Sequence, residues 1–197
     1  MTQDLLIALL GFAFVTSVTP GPNNMMLLAS GVNFGFRRTV PHMLGISIGH
    51  SLMVFLVGMG LAGAFNAWPP ALLVLKLASV SYMLWLAWKI AHASAPGEGR
   101  AAARPMTFLQ AAAFQWVNPK AWAMALGAVA AYVPEPSTAS YAFVALVFAC
   151  VNLPSVWAGA GQAVRRWLEG PGRLTAFNWT MAVLLVASLW PVVTLEL

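Results

Sequence analysis

The sequence has little charge. Only 8% of its 197 residues are Asp, Glu, Lys or Arg, against about 25% in a soluble domain. A chain of this size needs far more polar surface to remain in water, so a soluble monomer is excluded. Carboxylates are scarcest, with Asp4, Glu98, Glu135, Glu169 and Glu196 the full set, all near the termini or between apolar runs. Three scattered His and one cysteine, Cys150 inside an apolar run, leave no disulfide framework and no metal-ligating spacing. The excess of ten Lys plus Arg over five acids, a net +5, is no nucleic-acid signature, because the basic residues sit between apolar runs and not on one polar face. What is abundant is apolar: 60% hydrophobic residues, nine Trp and eleven Phe, with a mean hydropathy of +0.79. The class is an all-α integral membrane protein, with continuously apolar runs in place of the alternation a barrel requires.

A helix crosses the hydrocarbon with roughly 20 mostly apolar residues, each rising about 1.5 Å. Six stretches meet that length, roughly Leu5–Phe34, Val40–Phe65, Pro70–Ala91, Phe108–Val133, Ser137–Val164 and Leu174–Leu195. They fill the chain and predict a single transmembrane domain, with halves at roughly residues 1–92 and 105–197. The first run is preceded by Asp4 and by no Lys or Arg, which reads as a true span and not a signal peptide. Arg37 and Arg38 follow span one, Lys89, Arg100 and Arg104 lie at or after span three, and Arg165, Arg166 and Arg173 follow span five. The even-numbered loops hold no basic residue. The positive-inside rule then predicts odd loops in the cytoplasm and both termini outside. Trp68, Trp88, Trp167 and Trp190 fall near span ends, where an aromatic belt is the ordinary reason for them.

Two spans contain breakers at membrane depth. Span one runs fourteen residues from Leu5 to Val18 and then reads Thr19-Pro20-Gly21-Pro22-Asn23-Asn24. Fourteen residues rise only about 21 Å, so two prolines remove amide donors inside the bilayer and push their predecessors out of helical geometry. The spacing predicts two half-helices around an unwound Thr19–Pro22 joint. The first would end in free carbonyls, partly negative, and the second would begin near Asn23 with free amides, partly positive. Such a joint can take an ammonium at one pole and a carboxylate at the other, as broken helices do in secondary transporters; the plainer reading is a kink that only shapes packing. Span four holds Gln115-Trp116-Val117-Asn118-Pro119-Lys120. There Pro119 is expected to leave the carbonyl of Gln115 unpaired. Lys120 is costly in lipid, at least about 2.5 kcal/mol; it can bind a substrate carboxylate, satisfy carbonyls freed by the breaks, or snorkel toward the cytoplasmic interface.

His50 lies near the centre of span two, after Gly45 and Gly49, whose spacing allows close helix approach. With a reference pKa of about 6.5 it is a candidate proton carrier; equally, it can be a neutral side chain bonding a neighbouring helix. His42 lies too far along the same helix to share a metal with it. Asn152 and Pro154 predict a milder break in span five, and Asn178 a polar contact in span six; each can face a cavity or bond a neighbour. Lys76 reads as snorkelling outward. Three spans on either side of the Arg100/Arg104 loop, each half with its break in its first span, predict a 3+3 inverted repeat with the site where broken helices one and four meet.

Thr19-Pro20-Gly21-Pro22-Asn23-Asn24, Gly35-Phe36-Arg37, Gly45-x-x-x-Gly49, Tyr82 with Trp85-Leu86-Ala87-Trp88-Lys89, and Asn118-Pro119-Lys120 resemble the LysE/RhtB family of amino-acid exporters, over nearly the whole chain. Within it the chain is most similar to the small exporters of cysteine, O-acetylserine, threonine or homoserine. The resemblance implies export of small amino acids or their derivatives across a bacterial inner membrane, driven by the proton gradient, with no cofactor. It carries Pro20, Gly21, Pro22, Asn23, Asn118, Pro119 and Lys120 onto the family's motif positions. After the span-two glycine many relatives look to have an Asp where this chain has His50, which leaves the coupling residue open.

The expected protein is thus a proton-coupled exporter of alternating access, binding a small zwitterion among Thr19, Pro20, Gly21, Pro22, Asn23, Asn24, Gln115, Asn118, Pro119 and Lys120, with His50 as proton-coupling candidate. Its partners are the amino acid, protons and the lipid bilayer, with homodimerisation left open. An exporter of another small solute or ion is the alternative. An intramembrane enzyme acting on lipid-linked substrate would need a nucleophile with its base, or clustered metal ligands, and the chain offers neither.

Overall fold

The computed structural model describes residues 2–61, 63–68, 70–93, 104–152, 155–169 and 172–190. Ten α-helices run through them: α1 Gln3–Val18, α2 Pro22–Phe34, α3 Phe36–Leu56, α4 Gly63–Ala67, α5 Pro70–Ala91, α6 Phe108–Phe114, α7 Pro119–Tyr132, α8 Thr138–Asn152, α9 Val156–Val164 and α10 Arg173–Ala187. Among the described residues there is no strand.

Local chemistry sets the ends of these helices. The hydroxyl of Thr2 caps α1 by accepting from the Leu5 amide. α1 stops where expected, because Thr19 precedes a proline and is extended at φ −60°, ψ 144°. α2 then begins one residue earlier than expected, with Pro22 in its first turn, where a missing amide costs nothing. The two half-helices meet at a bend of 57°. Between α2 and α3 a single residue, Gly35 at φ 81°, reverses the chain, a conformation that other residues rarely adopt. α3 runs on into a widened turn, Val57–Leu61. Thr107 and Gln110 form a capping box at the start of α6.

Three helical segments are long and apolar enough to cross a membrane, Phe36–Leu61, Pro70–Ala91 and Thr138–Leu168, and the bent pair α1–α2 makes a fourth. The expected fourth and sixth spans lack a helix of that length: α6 and α7 have 7 and 14 residues either side of a break, and α10 has 15. Arg100, Pro154 and the end of the expected sixth span lie outside the described residues.

The side-chain distribution is that of a membrane protein. Ile7, Phe14, Val74, Leu77 and Trp88 are exposed, whereas Asn24, Thr39, Ser47, His50, Gln115, Asn118 and Asn178 are buried. Buried polar groups join the helices: Ser47 donates to the Ala149 carbonyl at 2.7 Å, and Asn178 bridges Asn33 and the Ala93 carbonyl, both at 3.1 Å. Asn178 therefore bonds neighbours. Small residues admit close backbones. A Cβ on Gly49 would lie 2.6 Å from Cα of Ala112, and one on Gly45 would overlap the Phe108 carbonyl, so α3 meets α6 as the Gly45/Gly49 spacing predicts. Gly31 and Gly161 do the same where α2 meets α9. The remaining large packings are α3 on α8, α5 on α10 and α1 on α8.

Candidate functional site

The two breaks lie against each other. Asn23, in the first turn of α2, and Gln115, just after α6, exchange amide bonds: Asn23 Nδ2 donates to Gln115 Oε1 at 2.9 Å and Gln115 Nε2 donates to Asn23 Oδ1 at 3.1 Å. Gln115 is fully buried and also donates to the Ala111 carbonyl at 2.9 Å.

At the first break the carbonyls left free by the end of α1 are taken up by three side chains. Trp157 Nε1 donates to the Val18 carbonyl at 2.9 Å. Asn24 Nδ2 donates to the carbonyls of Ser17 and Thr19, each at 2.7 Å. Lys120 Nζ donates to the Thr19 carbonyl at 2.7 Å, to Thr19 Oγ1 at 2.9 Å and to the Pro20 carbonyl at 3.3 Å. An ammonium at the negative pole of a helix is electrostatically apt, and of the three readings of Lys120 the geometry displays the one in which it satisfies carbonyls of the break. Gly21 makes room for it, since a Cβ there would stand 2.7 Å from Lys120 Cδ.

The second break is better satisfied than expected. Residues Gln115–Val117 tighten into a 3₁₀ turn, which brings the Asn118 amide to the Gln115 carbonyl at 3.2 Å. That carbonyl is therefore paired, which corrects the expectation that Pro119 orphans it: the i→i+3 bond of the tighter turn replaces the lost i→i+4 bond. Asn118, extended at φ −95° and ψ 107°, caps α7 by accepting from the Lys120 amide at 3.2 Å. Pro119 takes the first helical position.

His50 is 2% exposed and sits between helices. Its Nε2 lies 3.3 Å from the Ala121 carbonyl, its Nδ1 lies 3.3 Å from Asn152 Nδ2, and its ring meets Phe148 edge to face at 5.0 Å. The carbonyl can only accept, so it pairs with a protonated Nε2, while Nδ1 faces the Asn152 amide, whose two ends can exchange. His42, eight residues earlier, is also buried, and neither ring nitrogen has a partner among the described residues.

His50 and groups of both breaks face one cavity of about 50 Å³, whose lining includes Ser17, Asn23, Asn24, His50, Asn118, Lys120, Asn152 and Trp157. Thr19, Pro20, Pro22, Gln115 and Pro119 are not part of that lining; they shape it from behind. The volume holds a few waters, fewer atoms than an amino acid carries. Among the described residues Lys120 is the only Lys, Arg, Asp or Glu in the lining. Among the described residues no group of three or more His, Cys, Asp or Glu could hold a metal ion. The sequence reading missed Ser17, whose buried hydroxyl has no partner among the described residues, and Trp157. Asn152, expected either to face a cavity or to bond a neighbour, does both: it pairs with His50 and lines the cavity.

Residues 14–188 match the LysE type translocator family. Cysteine/O-acetylserine efflux proteins of Escherichia coli K12, Escherichia coli O9:H4 (strain HS) and Shigella sonnei (strain Ss046) are each 33% identical to the chain over 191 residues, covering 94% of it and 96% of the relative. No solved structure matches. Matched over most of its length by both comparisons, the chain belongs to the LysE type translocator family and is a membrane transporter, not an enzyme.

Proposed function

We propose that the chain is a secondary exporter of small amino acids or their derivatives from the bacterial cytoplasm, working by proton antiport with alternating access. The family and the efflux proteins it resembles support export. The observation that carries the mechanism is the Lys120 ammonium resting on the carbonyls of Thr19 and Pro20, across two helix breaks tied together by Asn23 and Gln115. In this state Lys120 occupies the place where a substrate ammonium would bind. A zwitterion arriving in the cavity offers its carboxylate to Lys120 and draws it off α1. The vacated carbonyls then accept the substrate ammonium. Lys120 thus serves as latch in the empty transporter and as carboxylate ligand in the loaded one. Asn23, Asn118 and Ser17 complete the polar wall.

Six crossings and a 3+3 inverted repeat are the proposed architecture, with α1–α2 and α6–α7 as the two broken first spans. Exchanging the halves turns the packing of span one on span five (α1 on α8, α2 on α9) into that of span four on span two (α6 and α7 on α3), and leaves α3–α8 and α5–α10 unchanged. That invariance supports the repeat. Lys89, Arg104, Arg165, Arg166 and Arg173 on the sides predicted to be cytoplasmic support an outward placement of both termini in the inner membrane.

His50 is proposed to carry the proton. With Asn152 Nδ2 toward the ring its partners accommodate the neutral form, and turning the Asn152 amide would present Oδ1 to a protonated Nδ1. Charging His50 beside Lys120 adds a second positive charge to one small cavity, which favours expelling a bound ammonium. Uptake of labelled cysteine or O-acetylserine into inverted vesicles tests the function. Accumulation on imposing a pH gradient, abolished when the gradient is collapsed, is the expected result; uptake indifferent to the gradient rejects antiport, and no uptake of either rejects this substrate class.

A further inference from the structure

A second cavity opens at the other end of α2, outside the transport site. It is lined by Phe34, Gly35 and Phe36 at the α2–α3 reversal, by Arg37 and Arg38 in the first turn of α3, and by Gln162, Arg165 and Arg166 at the end of α9. Four guanidinium groups converge there, and among the described side chains no carboxylate lines the cleft. Arg38 stands 5.8 Å over the ring of Phe34. Arg165 reaches toward the reversal, where its Nη1 would be 3.3 Å from any Cβ on Gly35. The positive-inside bias draws both pairs of arginines to one face, but like charges sharing a cleft without counter-charge repel.

Backbone dipoles add to the same field. α3 starts here with 21 residues behind it and no side-chain cap at its N-terminus. Gln162 Oε1 takes the Phe36 amide at 2.5 Å, and the next amides of the first turn have no helical partner. A helix N-terminus among guanidinium forks is a recognised way to hold a phosphate. The apolar rim of Phe34 and Phe36 borders it.

We propose that this cleft binds a phosphate group, presented by the headgroup of an anionic lipid or free in solution. On the orientation proposed above it opens to the cytoplasmic leaflet, where anionic lipids supply such groups. A bound phosphate bridges the α2–α3 reversal to the end of α9 and ties two elements of the transport domain together at that face.

The test separates this site from general attraction between arginines and an acidic membrane. Purified full-length protein in a neutral detergent is titrated with dioctanoyl phosphatidylglycerol, with dioctanoyl phosphatidylcholine and with inorganic phosphate, and bound ligand is counted by native mass spectrometry. The variants are Arg37→Lys with Arg165→Lys, which keeps the charge and the positive-inside pattern but loses the guanidinium fork, and Arg37→Gln with Arg165→Gln. Arg173→Lys is the control, because Arg173 donates to the Trp167 carbonyl at 3.1 Å and does not line the cleft. Saturable binding of phosphatidylglycerol, weakened about tenfold in the double Lys variant and further in the double Gln variant, with Arg173→Lys unchanged, supports a lipid phosphate. The same pattern with inorganic phosphate alone supports a free anion. Equal binding by wild type and double Lys variant, binding of phosphatidylcholine as strong as phosphatidylglycerol, or no saturable binding overturns the proposal. None of these readouts requires transport, so the export reading stands or falls separately.

Discussion

Replacing Lys120 with Ala removes the ammonium that lines the transport cavity. In the empty protein the substitution deletes three donations, to the Thr19 carbonyl, Thr19 Oγ1 and the Pro20 carbonyl. Each hydrogen bond to a charged group contributes about 1.5–3 kcal/mol, but the variant also escapes the cost of at least about 2.5 kcal/mol for a lysine within a span. The escaped cost offsets only part of the three bonds, so the variant should be less stable than wild type and its transport is compared at equal membrane abundance. For the loaded protein nothing offsets the loss, because no other Lys or Arg among the described residues lines the cavity. Losing one charge-assisted contact of about 2–3 kcal/mol raises KM roughly 30- to 150-fold at 1.4 kcal/mol per decade. Removing the latch frees the α1 carbonyls and by itself favours opening, so kcat should fall less than KM rises. Proteoliposomes with equal protein content, assayed for labelled O-acetylserine over a wide concentration range, separate the two constants. An unchanged KM would refute the role of Lys120 as carboxylate ligand, and loss of the protein from the membrane would show that its role is structural.

Three further substitutions probe other parts of the site. Asn118→Ala removes the cap of α7 and a polar wall of the cavity; it should cost about 1 kcal/mol of stability and reduce export, and normal export at equal abundance counts against the second break as part of the site. His50→Gln should lose accumulation driven by a pH gradient while retaining counterflow of labelled for unlabelled substrate; gradient-driven accumulation at the wild-type level rejects the proton role. Gly49→Val places side-chain atoms where Ala112 Cα already stands within 2.6 Å of a Cβ position and should lower stability by about 1–3 kcal/mol; an unshifted melting temperature in detergent would mean that α3 and α6 are not in that contact.

Both breaks were legible in the sequence, because proline acts locally: Pro20 and Pro119 dictate extended predecessors whatever surrounds them. Gly45 and Gly49 disclosed a close helix approach for the same kind of reason, although not that α6 is the partner. What the breaks bind internally was not legible. Asn24 sits in the motif and reads as a substrate ligand, yet its amide turns back onto the carbonyls of Ser17 and Thr19. Lys120 finds the Thr19 carbonyl across 101 residues of chain, and Trp157 reaches Val18 across 139. Such pairings depend on how broken helices cross, which no local pattern encodes. The Gln115 carbonyl was misjudged because a proline predicts only the bond it removes, not the 3₁₀ bond that replaces it. Asn152 and His50 show the same limit, since each was visible as a polar residue in an apolar run and their pairing was not.

The most direct measurement places a single reporter in the cavity. Ser17→Cys, on a Cys150→Ser background, puts a near-isosteric thiol where a buried hydroxyl lines the cavity. Its rate of alkylation by a small maleimide is followed in vesicles that demonstrably transport O-acetylserine. Substrate should slow the labelling in proportion to its occupancy of the transporter, and Lys120→Ala should move that protection to higher substrate concentration. Labelling untouched by saturating substrate in transporting vesicles would mean that the solute crosses elsewhere, and that the meeting of the two broken helices is not where it binds.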